Sequence, residues 1–516
     1  MSILKAASLI AVISLLSKVI GLIRDIFIAK YCGLSVVTDA YNVAYLIPGS
    51  FALLMLGGLN GPFHSAIVSG LTNYYKSGDE KNTRIILNTV VFITIVSMGT
   101  ITFLGIKYSD WIINTFWSTL SPEVTKMAII QLRIMFPMFF LSGLIGISFG
   151  VLNIRQHYLT PALSPIMASV SIIALLFFTN KDNVGEVLAI ATLIGALLEL
   201  LIQFIPLSRN FKLFPLSINL KHPGVFTVFG ILLPALLSST IGQVNIFLIQ
   251  FFAGSLPTGN IAAFSFGNRI LQLPLGILLA ALLVPLLPIL TTAASKNDNY
   301  QELKRKLNQG MRSIFLITIP TTVIFIVLGK PIITILFQRG EFTYQDTLLT
   351  YEVTIYLSIS IMMYAARDLL IRVFYALQDA KTPFYTSFIS IVLMFCFCAL
   401  LVEPLKVGGI ALAGSLVTLI NFLLIGYLLY RKIGIWLEKE SWKNLGITII
   451  ASVPVSLGGI YLNNLLNNFS NKLIYISVFS IGVTILGFIY ICIVYYSGDK
   501  ELKSFFYILN NKLKKR

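Results

Sequence analysis

Basic and acidic side chains lie inside stretches of sequence that are otherwise apolar. The first apolar stretch holds Lys18, Arg24 and Asp25. A charged residue at the centre of a bilayer costs about 2.5–3.5 kcal/mol on insertion scales, so such residues face a protein interior or water. On a helix, Lys18 and Asp25 lie two turns apart on one face, whereas Arg24 points about a third of a turn away. These three residues therefore predict a polar site within a bundle of helices.

Two further apolar stretches extend the predicted site. Asp39 opens the second stretch, and Asn268 and Arg269 lie in the eighth. The planar fork of arginine donates two parallel hydrogen bonds to phosphate, so clustered cations favour an anionic ligand such as a diphosphate, with the carboxylates orienting the arginines. The predicted substrate-binding site consists of Lys18, Arg24, Asp25, Asp39, Asn268 and Arg269.

The same residues also have purely structural interpretations. Arg24 and Asp25 are adjacent and are able to form a buried ion pair that binds no ligand. Lys18 is able to extend its alkyl chain towards a membrane boundary, although it lies near the middle of its apolar stretch. The ligand-binding interpretation is favoured because basic residues are in excess where the charges are predicted to meet.

No catalytic motif accompanies these charges. The sequence contains no P-loop, Gly-x-Ser-x-Gly or His-Glu-x-x-His pattern, and its 3 histidines are scattered. The 4 cysteines show neither disulfide nor zinc-ligand spacing. We predict a protein that is not an enzyme and needs no metal or cofactor.

The composition indicates which elements position the charges. Of the 516 residues, 57% are hydrophobic and 11% are charged, whereas soluble proteins have about 25% charged residues. Apolar stretches of about twenty residues, the length that spans a bilayer as a helix, follow one another along the chain. The predicted fold is an all-α polytopic membrane protein with about fourteen helices, at 6–30, 37–62, 85–106, 127–151, 159–179, 185–206, 224–253, 260–291, 313–337, 348–375, 384–402, 408–430, 444–465 and 473–496.

The net charge of +17 is explained by membrane orientation rather than by nucleic-acid binding. If the N-terminus is cytoplasmic, basic residues in the cytoplasmic segments outnumber those outside by roughly three to one, which the positive-inside rule interprets as N-in and C-in. These basic clusters also suit contact with anionic lipid headgroups. Membrane lipids are therefore predicted partners, and nucleic acid is not.

A weak internal repeat suggests two lobes. Gln156 and Thr160 recur as Gln378 and Thr382, each threonine being followed by proline. Gly33 and Gly254 recur at nearly the same offset. Because each repeat contains an even number of spans, the lobes are expected to be parallel repeats with a cavity between them. The predicted domains are 1–222 (spans 1–6), 223–435 (spans 7–12) and 436–516 (spans 13 and 14 with a basic tail).

Several motifs resemble the MurJ (MviN) lipid II flippases of the MOP exporter superfamily, and the resemblance extends along nearly the whole chain. They are SKVIGLIRD at 17–25, TDAY at 38–41, NR at 268–269 with PLG at 274–276, LFQRGEF at 336–342 and QDAKTP at 378–383. The resemblance implies translocation of the undecaprenyl-diphosphate-linked peptidoglycan precursor across the cytoplasmic membrane of a bacterium. It also implies possible cell-wall synthesis proteins as partners, and a hydrophobic groove for the lipid tail at spans 13 and 14.

By the same resemblance, Arg24, Asp25, Asp39 and Arg269 match positions needed for function, and Lys18 stands where the family usually has arginine. The sequence departs from the family after Pro48. There the family commonly has an arginine pair and an acidic residue, whereas 49–61 is free of charge in this chain. In this segment Gly57 and Gly61 are spaced for close helix packing.

Two other functional classes stay open. An exporter of drugs or of another polyprenyl-linked glycan would share the lobes, but it usually has twelve spans and acidic cavity charges. A non-transporting scaffold of cell-wall assembly would tolerate loss of the cavity charges. Replacing the basic cavity residues with alanine distinguishes the two classes, because a scaffold would keep its function and a transporter would lose it.

Overall fold

The computed structural model describes residues 3–58, 61–210, 217–278, 282–296, 298–499 and 501–503, and over these residues the chain is helical with no β-strand. The helices are α1 (Ile3–Cys32), α2 (Val36–Tyr45) with a π-helical continuation (Leu46–Leu56), α3 (Pro62–Lys76), α4 (Glu80–Lys107), α5 (Ser109–Phe116), α6 (Pro122–Met135), α7 (Pro137–Ile154), α8 (Leu159–Phe177), α9 (Val184–Asn210), α10 (Pro223–Gly254), α11 (Asn260–Leu278), α12 (Val284–Ala294), α13 (Gln301–Leu336), α14 (Tyr344–Ser358), α15 (Ile361–Ala376), α16 (Lys381–Ile433), α17 (Lys439–Leu466) and α18 (Lys472–Tyr496). Helices satisfy their own backbone hydrogen bonds, as lipid requires. The predicted all-α membrane fold is confirmed.

The number of spans is less regular than the sequence predicts. Within the described ranges, 10 helices are long and apolar enough to cross a membrane, or 11 if α14 and α15, which are bent by 44°, form one span. The element α16 consists of two helices that meet at a kink at Lys406, with φ 49° and ψ −130°, so the predicted spans 384–402 and 408–430 lie in separate helices. The predicted span 260–291 divides into α11 and α12. The count of fourteen is therefore not confirmed.

The second predicted span, 37–62, is not one regular helix. The α-helical pattern of α2 changes to a π-helix over Leu46–Leu56. Pro48 lies in this segment and has no backbone N–H to donate, which favours a departure from α-helical hydrogen bonding. Gly49 leaves room for the ring of Tyr45, because a Cβ atom at Gly49 would overlap that ring. The charge-free part of span 2 therefore has an unusual backbone.

The two glycines at the end of this segment differ in their surroundings. A Cβ atom at Gly57 would lie 2.6 Å from the carbonyl oxygen of Ser142 in α7. The close helix packing predicted for Gly57 is thus confirmed. A Cβ atom at Gly61 would instead meet the carbonyl oxygens of Met55 and Leu56 in its own segment. The prediction is wrong for Gly61, which belongs to a tight turn before α3.

The chain divides into two compact units. Unit 1 comprises residues 1–262 together with Arg339–Thr343, and unit 2 comprises 263–338 with 344–516. In unit 1, α8 and α9 approach closely, since a Cβ atom at Gly195 would lie 2.6 Å from the Cα atom of Ala168. In unit 2, α13 shares a hydrophobic core with α17 and α18. The lobe boundaries at 222/223 and 435/436 stay a prediction.

Candidate functional site

Arg24 and Asp25, neighbours in α1, form an ion pair in unit 1. The Nη2 and Nε atoms of Arg24 donate to Oδ1 of Asp25 at 2.9 and 3.1 Å. The Asp25 side chain is 9% exposed, and that of Arg24 is 27% exposed. The pair keeps the buried carboxylate balanced in charge. It uses two of the three guanidinium nitrogens, so Arg24 retains donors that suit an anionic ligand.

Two tyrosines of α2 lie near the guanidinium of Arg24. They are Tyr41 and Tyr45, whose ring centroids are 5.5 Å apart. The hydroxyl of Tyr41 also forms a 3.0 Å hydrogen bond with that of Thr192 in α9. Lys18 is partly exposed and forms no ion pair with any described residue. The structure thus joins Arg24 to Asp25 and leaves Lys18 outside that pair.

Asp39 in α2 binds backbone at the start of α11. Its Oδ2 atom accepts a hydrogen bond from the N–H of Gly259 at 2.6 Å, and its Oδ1 atom accepts from Ala262 at 2.7 Å. Asp39 is 3% exposed. The first N–H groups of a helix have no partner within the helix and attract negative charge. Asp39 therefore acts as a helix cap that positions α11.

The LFQRGEF motif reaches the turn between α1 and α2 in unit 1. The N–H of Glu341 donates to the carbonyl of Lys30 at 2.8 Å. Gly33 has φ +56°, and a Cβ atom there would lie 2.5 Å from the carbonyl oxygen of Glu341. Gly340 has φ +60° and lies against the Lys30 carbonyl. Both positions need glycine because φ is positive there and a neighbouring segment of the chain comes too close for a side chain.

Asn268 and Arg269 lie in the part of α11 that belongs to unit 2. The guanidinium carbon of Arg269 is 5.7 Å from the ring centroid of Phe266, a cation–π geometry. The Phe266 ring packs against Phe337, with centroids 5.0 Å apart. Asn268 is exposed. That these side chains meet those of α1 at one ligand stays a prediction.

Three charged residues of α15 were missed by the sequence prediction. Arg372 Nε donates to Asp368 Oδ2 at 3.1 Å. The guanidinium carbon of Arg367 lies 4.7 Å from the ring centroid of Tyr364, and its Nε atom is buried without a hydrogen-bond partner among the described residues. The signal was present, because three charges occur within six residues of a predicted membrane helix. Arg367 is a further candidate for binding an anionic headgroup.

Unit 2 contains an apolar groove of about 650 Å³ between α13, α17 and α18. Leu316, Ile324, Val455, Leu486 and Tyr490 line it. The hydroxyl of Tyr490 donates to the Leu316 carbonyl at 2.8 Å, so the one polar group of this set is satisfied by backbone. A groove of this composition suits a hydrocarbon chain.

A charged cluster adjoins this groove. Arg312 Nη2 lies 2.9 Å from Glu501 Oε1, and Glu501 also lines the groove. Nη1 of Arg312 lies 3.9 Å from both Glu438 and Glu440. The Arg312 side chain is 13% exposed and that of Glu501 is 14% exposed. The ion pair therefore holds the segment after α18 against α13.

The QDAKTP motif forms the start of α16 in unit 2. Asp379 accepts hydrogen bonds from the N–H and the hydroxyl of Thr382 at 3.1 and 2.9 Å. Lys432 Nζ donates to Oδ2 of Asp379 at 2.8 Å. The hydrogen bond from Lys432 lowers the pKa of Asp379 to about 2, with help from those of Thr382. This motif stabilises the fold, and no ligand is needed to explain it.

Charged side chains within apolar helices, together with an apolar groove, are features of a multi-pass membrane transporter. The fold is similar to that of a solved lipid II flippase MurJ in an inward closed conformation, with TM-score 0.76 and 21% identity over 94% of this chain and 98% of that one. It is also similar to an inward-facing MATE multidrug resistance transporter of the MOP superfamily, with TM-score 0.65 and 16% identity over 83% and 97%.

Sequence comparison is more specific than the fold. Residues 28–484 match the family described as lipid II flippase MurJ, and the chain belongs to this family. A probable lipid II flippase MurJ from Synechocystis is 34% identical, over 94% of this chain and 95% of the relative. A lipid II flippase MurJ from Burkholderia cenocepacia is 26% identical, over 89% of each. The family resemblance found in the motifs is confirmed.

Proposed function

We propose that this protein is a lipid II flippase, which moves the undecaprenyl-diphosphate-linked peptidoglycan precursor from the inner to the outer leaflet of a bacterial cytoplasmic membrane. The observation that carries the proposal is the match to the MurJ family over residues 28–484. The similarity to the Synechocystis relative, which covers almost the whole of both chains, supports it. Movement between leaflets proceeds by alternating access, as in other transporters built from repeated lobes.

The diphosphate headgroup binds to basic side chains of the transmembrane helices. Lys18 and Arg24 of α1 and Arg269 of α11 supply positive charge, and Arg367 of α15 adds a guanidinium whose Nε atom bonds to none of the described residues. Arginine suits this ligand because its fork donates two parallel hydrogen bonds to phosphate. Asp25 orients Arg24, whereas Asp39 contributes indirectly by positioning α11. Asn268, exposed beside Arg269, offers an amide to the polar part of the substrate.

The polyprenyl tail occupies the apolar groove of unit 2. The groove has a volume of about 650 Å³ and lies beside α17 and α18, which correspond to the predicted spans 13 and 14. A long hydrocarbon chain gains from leaving any contact with water and from packing against apolar side chains. The headgroup and the tail thus bind to separate surfaces of the protein.

The chain is oriented with both termini in the cytoplasm and is built from two parallel six-helix lobes with two appended helices. The distribution of basic residues supports the orientation. A shared backbone feature supports the repeat, since Gln156 and Gln378, which recur in the sequence, both have φ 58°. Labelling of Ser77→Cys and Ser121→Cys by a membrane-impermeant maleimide tests the orientation. In intact cells, only the second position should react.

The transport proposal is tested by complementation of a flippase-depleted bacterium. Arg24→Ala and Arg269→Ala are expected to abolish growth while the protein still inserts into the membrane, because the headgroup loses its cationic partners. Arg133→Ala is the matched control, since Arg133 pairs with Asp110 at an exposed site where ion pairs contribute little. A leaflet-accessibility assay of the lipid-linked precursor then measures flipping directly. Normal flipping in both variants would refute the assigned binding site, and unchanged flipping after depletion of the protein would refute the function.

A further inference from the structure

A small polar pocket lies in unit 2, where α17 begins and α18 ends. Its volume is about 140 Å³, which is enough for a small polar group but not for a whole lipid. We call it the boundary pocket, and its lining includes Arg312, Glu440, Lys443, Asn444, Ile447 and Asp499. None of these residues belongs to the headgroup and tail sites proposed above.

The boundary pocket lies at the level where the membrane meets water. α17 (Lys439–Leu466) and α18 (Lys472–Tyr496) are both long and apolar enough to cross a membrane. The pocket involves the first turns of α17 and the residues directly after α18, so it lies at one end of both spans. Trp442 and Tyr496 are 60% and 85% exposed at this end, and such aromatic residues mark the interfacial region of membrane proteins. The pocket is therefore at the depth of the lipid headgroups.

One side of the pocket consists of acceptors that lack a cation. Asp499 is 5% exposed, its Oδ1 atom accepts from the N–H of Leu502 at 2.9 Å, and its Oδ2 atom accepts from Nδ2 of Asn444. It forms no ion pair with any residue that the structure describes. Asn444 is 2% exposed, and its Oδ1 atom is buried with no donor among the described residues. Such buried acceptors are costly without a donor, and an ammonium group would satisfy both.

The other side of the pocket offers donors for an anion. Nε and Nη2 of Arg312 donate to Glu501 at 3.0 and 2.9 Å. Its Nη1 atom lies 3.9 Å from Glu438 and Glu440, which is too far for a hydrogen bond. Lys443 is exposed and forms no ion pair within the described part of the chain. Nη1 of Arg312 and Nζ of Lys443 are therefore able to bind a phosphate group.

The charges of the pocket favour a zwitterion. The basic residues Arg312 and Lys443 line it together with the carboxylates of Glu440 and Asp499. A simple anion or a simple cation would be repelled by half of this lining, whereas a ligand with a phosphate and an ammonium a few bonds apart is attracted by both halves. The ammonium must carry N–H groups, because the Oδ1 atom of Asn444 needs a hydrogen-bond donor and a trimethylated nitrogen has none.

An apolar path leads from the pocket along α17. Lys443, Ile447 and Ile450 recur at intervals of four and three residues, so they lie on one face of the helix. Ile447 lines the pocket, and Ile450 is 68% exposed within the span of α17. An exposed isoleucine in a membrane span suits contact with acyl chains. The chains of a lipid whose headgroup lies in the pocket would run along this face.

We propose that the boundary pocket binds the headgroup of a membrane phospholipid that carries a primary ammonium group. The ammonium lies against Asp499, Asn444 and Glu440, and the phosphate lies against Arg312 and Lys443. The lipid stays in its own leaflet and joins α13, α17 and the segment after α18. It is a bound structural lipid and not transported cargo. The inference goes beyond the flippase function and does not depend on it.

The first experiment measures the retention of lipids by the purified full-length protein. Phosphatidylethanolamine, phosphatidylcholine and phosphatidylglycerol of equal chain length are added in detergent, and bound lipid is counted by native mass spectrometry. Phosphatidylethanolamine should be retained about tenfold more than the other two, because phosphatidylcholine lacks N–H donors and phosphatidylglycerol lacks the ammonium. Equal retention of all three would overturn the proposal and would leave water as the occupant of the pocket.

Substitutions at exposed positions test the assigned contacts. Lys443→Gln and Glu440→Gln should each lower the retention of phosphatidylethanolamine about threefold, as expected for single contacts with solvent-exposed charges. Lys439→Gln is the matched control, because Lys439 is exposed on the same helix and does not line the pocket. Thermal unfolding without added lipid should be the same in all three variants, which excludes a folding defect. Wild-type retention by both pocket variants would refute the assigned contacts.

A soluble headgroup tests whether the ligand is a lipid. Glycerophosphoethanolamine has the same phosphate and ammonium but no acyl chains. At millimolar concentration it should leave bound phosphatidylethanolamine in place, because the acyl chains along α17 supply part of the binding. Displacement by the soluble compound would identify a soluble ligand and overturn the assignment to a lipid. None of these measurements involves the precursor or flipping, so their failure would leave the proposed function intact.

Discussion

The carboxylate of Asp39 lies against the backbone of Ala262, whose N–H donates to its Oδ1 atom at 2.7 Å. The sequence groups Asp39 with the ligand-binding charges, whereas both of its oxygens accept backbone hydrogen bonds at the start of α11. The residue therefore determines where α11 begins, and α11 carries Arg269. A loss of function at Asp39 is expected to arise from a displaced helix.

Asp39→Asn should destabilise the protein. The amide has only one acceptor oxygen, so one of the two backbone donors is left buried and unpaired, at a cost of about 1–3 kcal/mol. Thermal unfolding in detergent measures the change. Asp110→Asn is the control, because the Asp110 side chain is 54% exposed and its replacement should have little effect. Equal melting temperatures for Asp39→Asn and wild type would contradict the capping role.

Gly33→Ala should be more harmful than Gly78→Ala. Both glycines have positive φ, so alanine at either position adds strain of about 1–2 kcal/mol. A Cβ atom at Gly78 would meet nothing within 4 Å, whereas one at Gly33 would lie 2.5 Å from the Glu341 carbonyl oxygen. The difference in unfolding free energy between the two variants measures the cost of the clash between a Cβ atom at position 33 and the segment Arg339–Thr343. Similar losses in the two would argue against this contact.

Asp379 should stabilise unit 2 in a manner that depends on pH. The Lys432 hydrogen bond lowers the pKa of Asp379 to about 2, compared with about 3.9 in an unfolded chain. A depressed pKa contributes stability that is present above pH ~3.9 and is lost as the pH falls towards ~2. Because the side chains of Lys432 and Asp379 are 37% and 21% exposed, solvent screens the pair, and we expect a contribution of about 1 kcal/mol or less. The melting temperatures of wild type and Asp379→Asn should differ at neutral pH and converge as the pH approaches ~2. A constant difference across that range would be inconsistent with the shift.

Gly487→Phe should block the apolar groove without unfolding the protein. Gly487 lines the groove, and a Cβ atom there would meet nothing within 4 Å. Gly446→Phe is the matched control in α17, since that position is equally open but does not line the groove. If the polyprenyl tail binds in the groove, only the first variant loses flipping, while both keep near wild-type melting temperatures. Normal flipping by Gly487→Phe would place the tail elsewhere.

The positions of helices were largely predictable because membrane insertion depends on local composition. The break at Lys406 within α16 lies between the predicted spans 384–402 and 408–430, and Pro404 precedes it by two residues. A departure from the prediction occurs in the π-helical segment after Tyr45, which Pro48 marked in the sequence. Charges in predicted spans were also visible, yet Arg367 was missed. The significance of such a charge depends on which side chains surround it, and many of these come from other helices.

The sequence by itself determined the class of the protein and its family. An apolar chain in lipid satisfies its backbone within each helix, so hydropathy alone specifies a helical membrane protein, and the motifs identified the MurJ family. Only the tertiary structure decided what the polar residues do. Asp39 bonds to a residue 223 positions away, and Gly33 meets Glu341 across a still longer separation. Such contacts depend on how helices pack, and the spacing of residues along one helix carries no information about its partner.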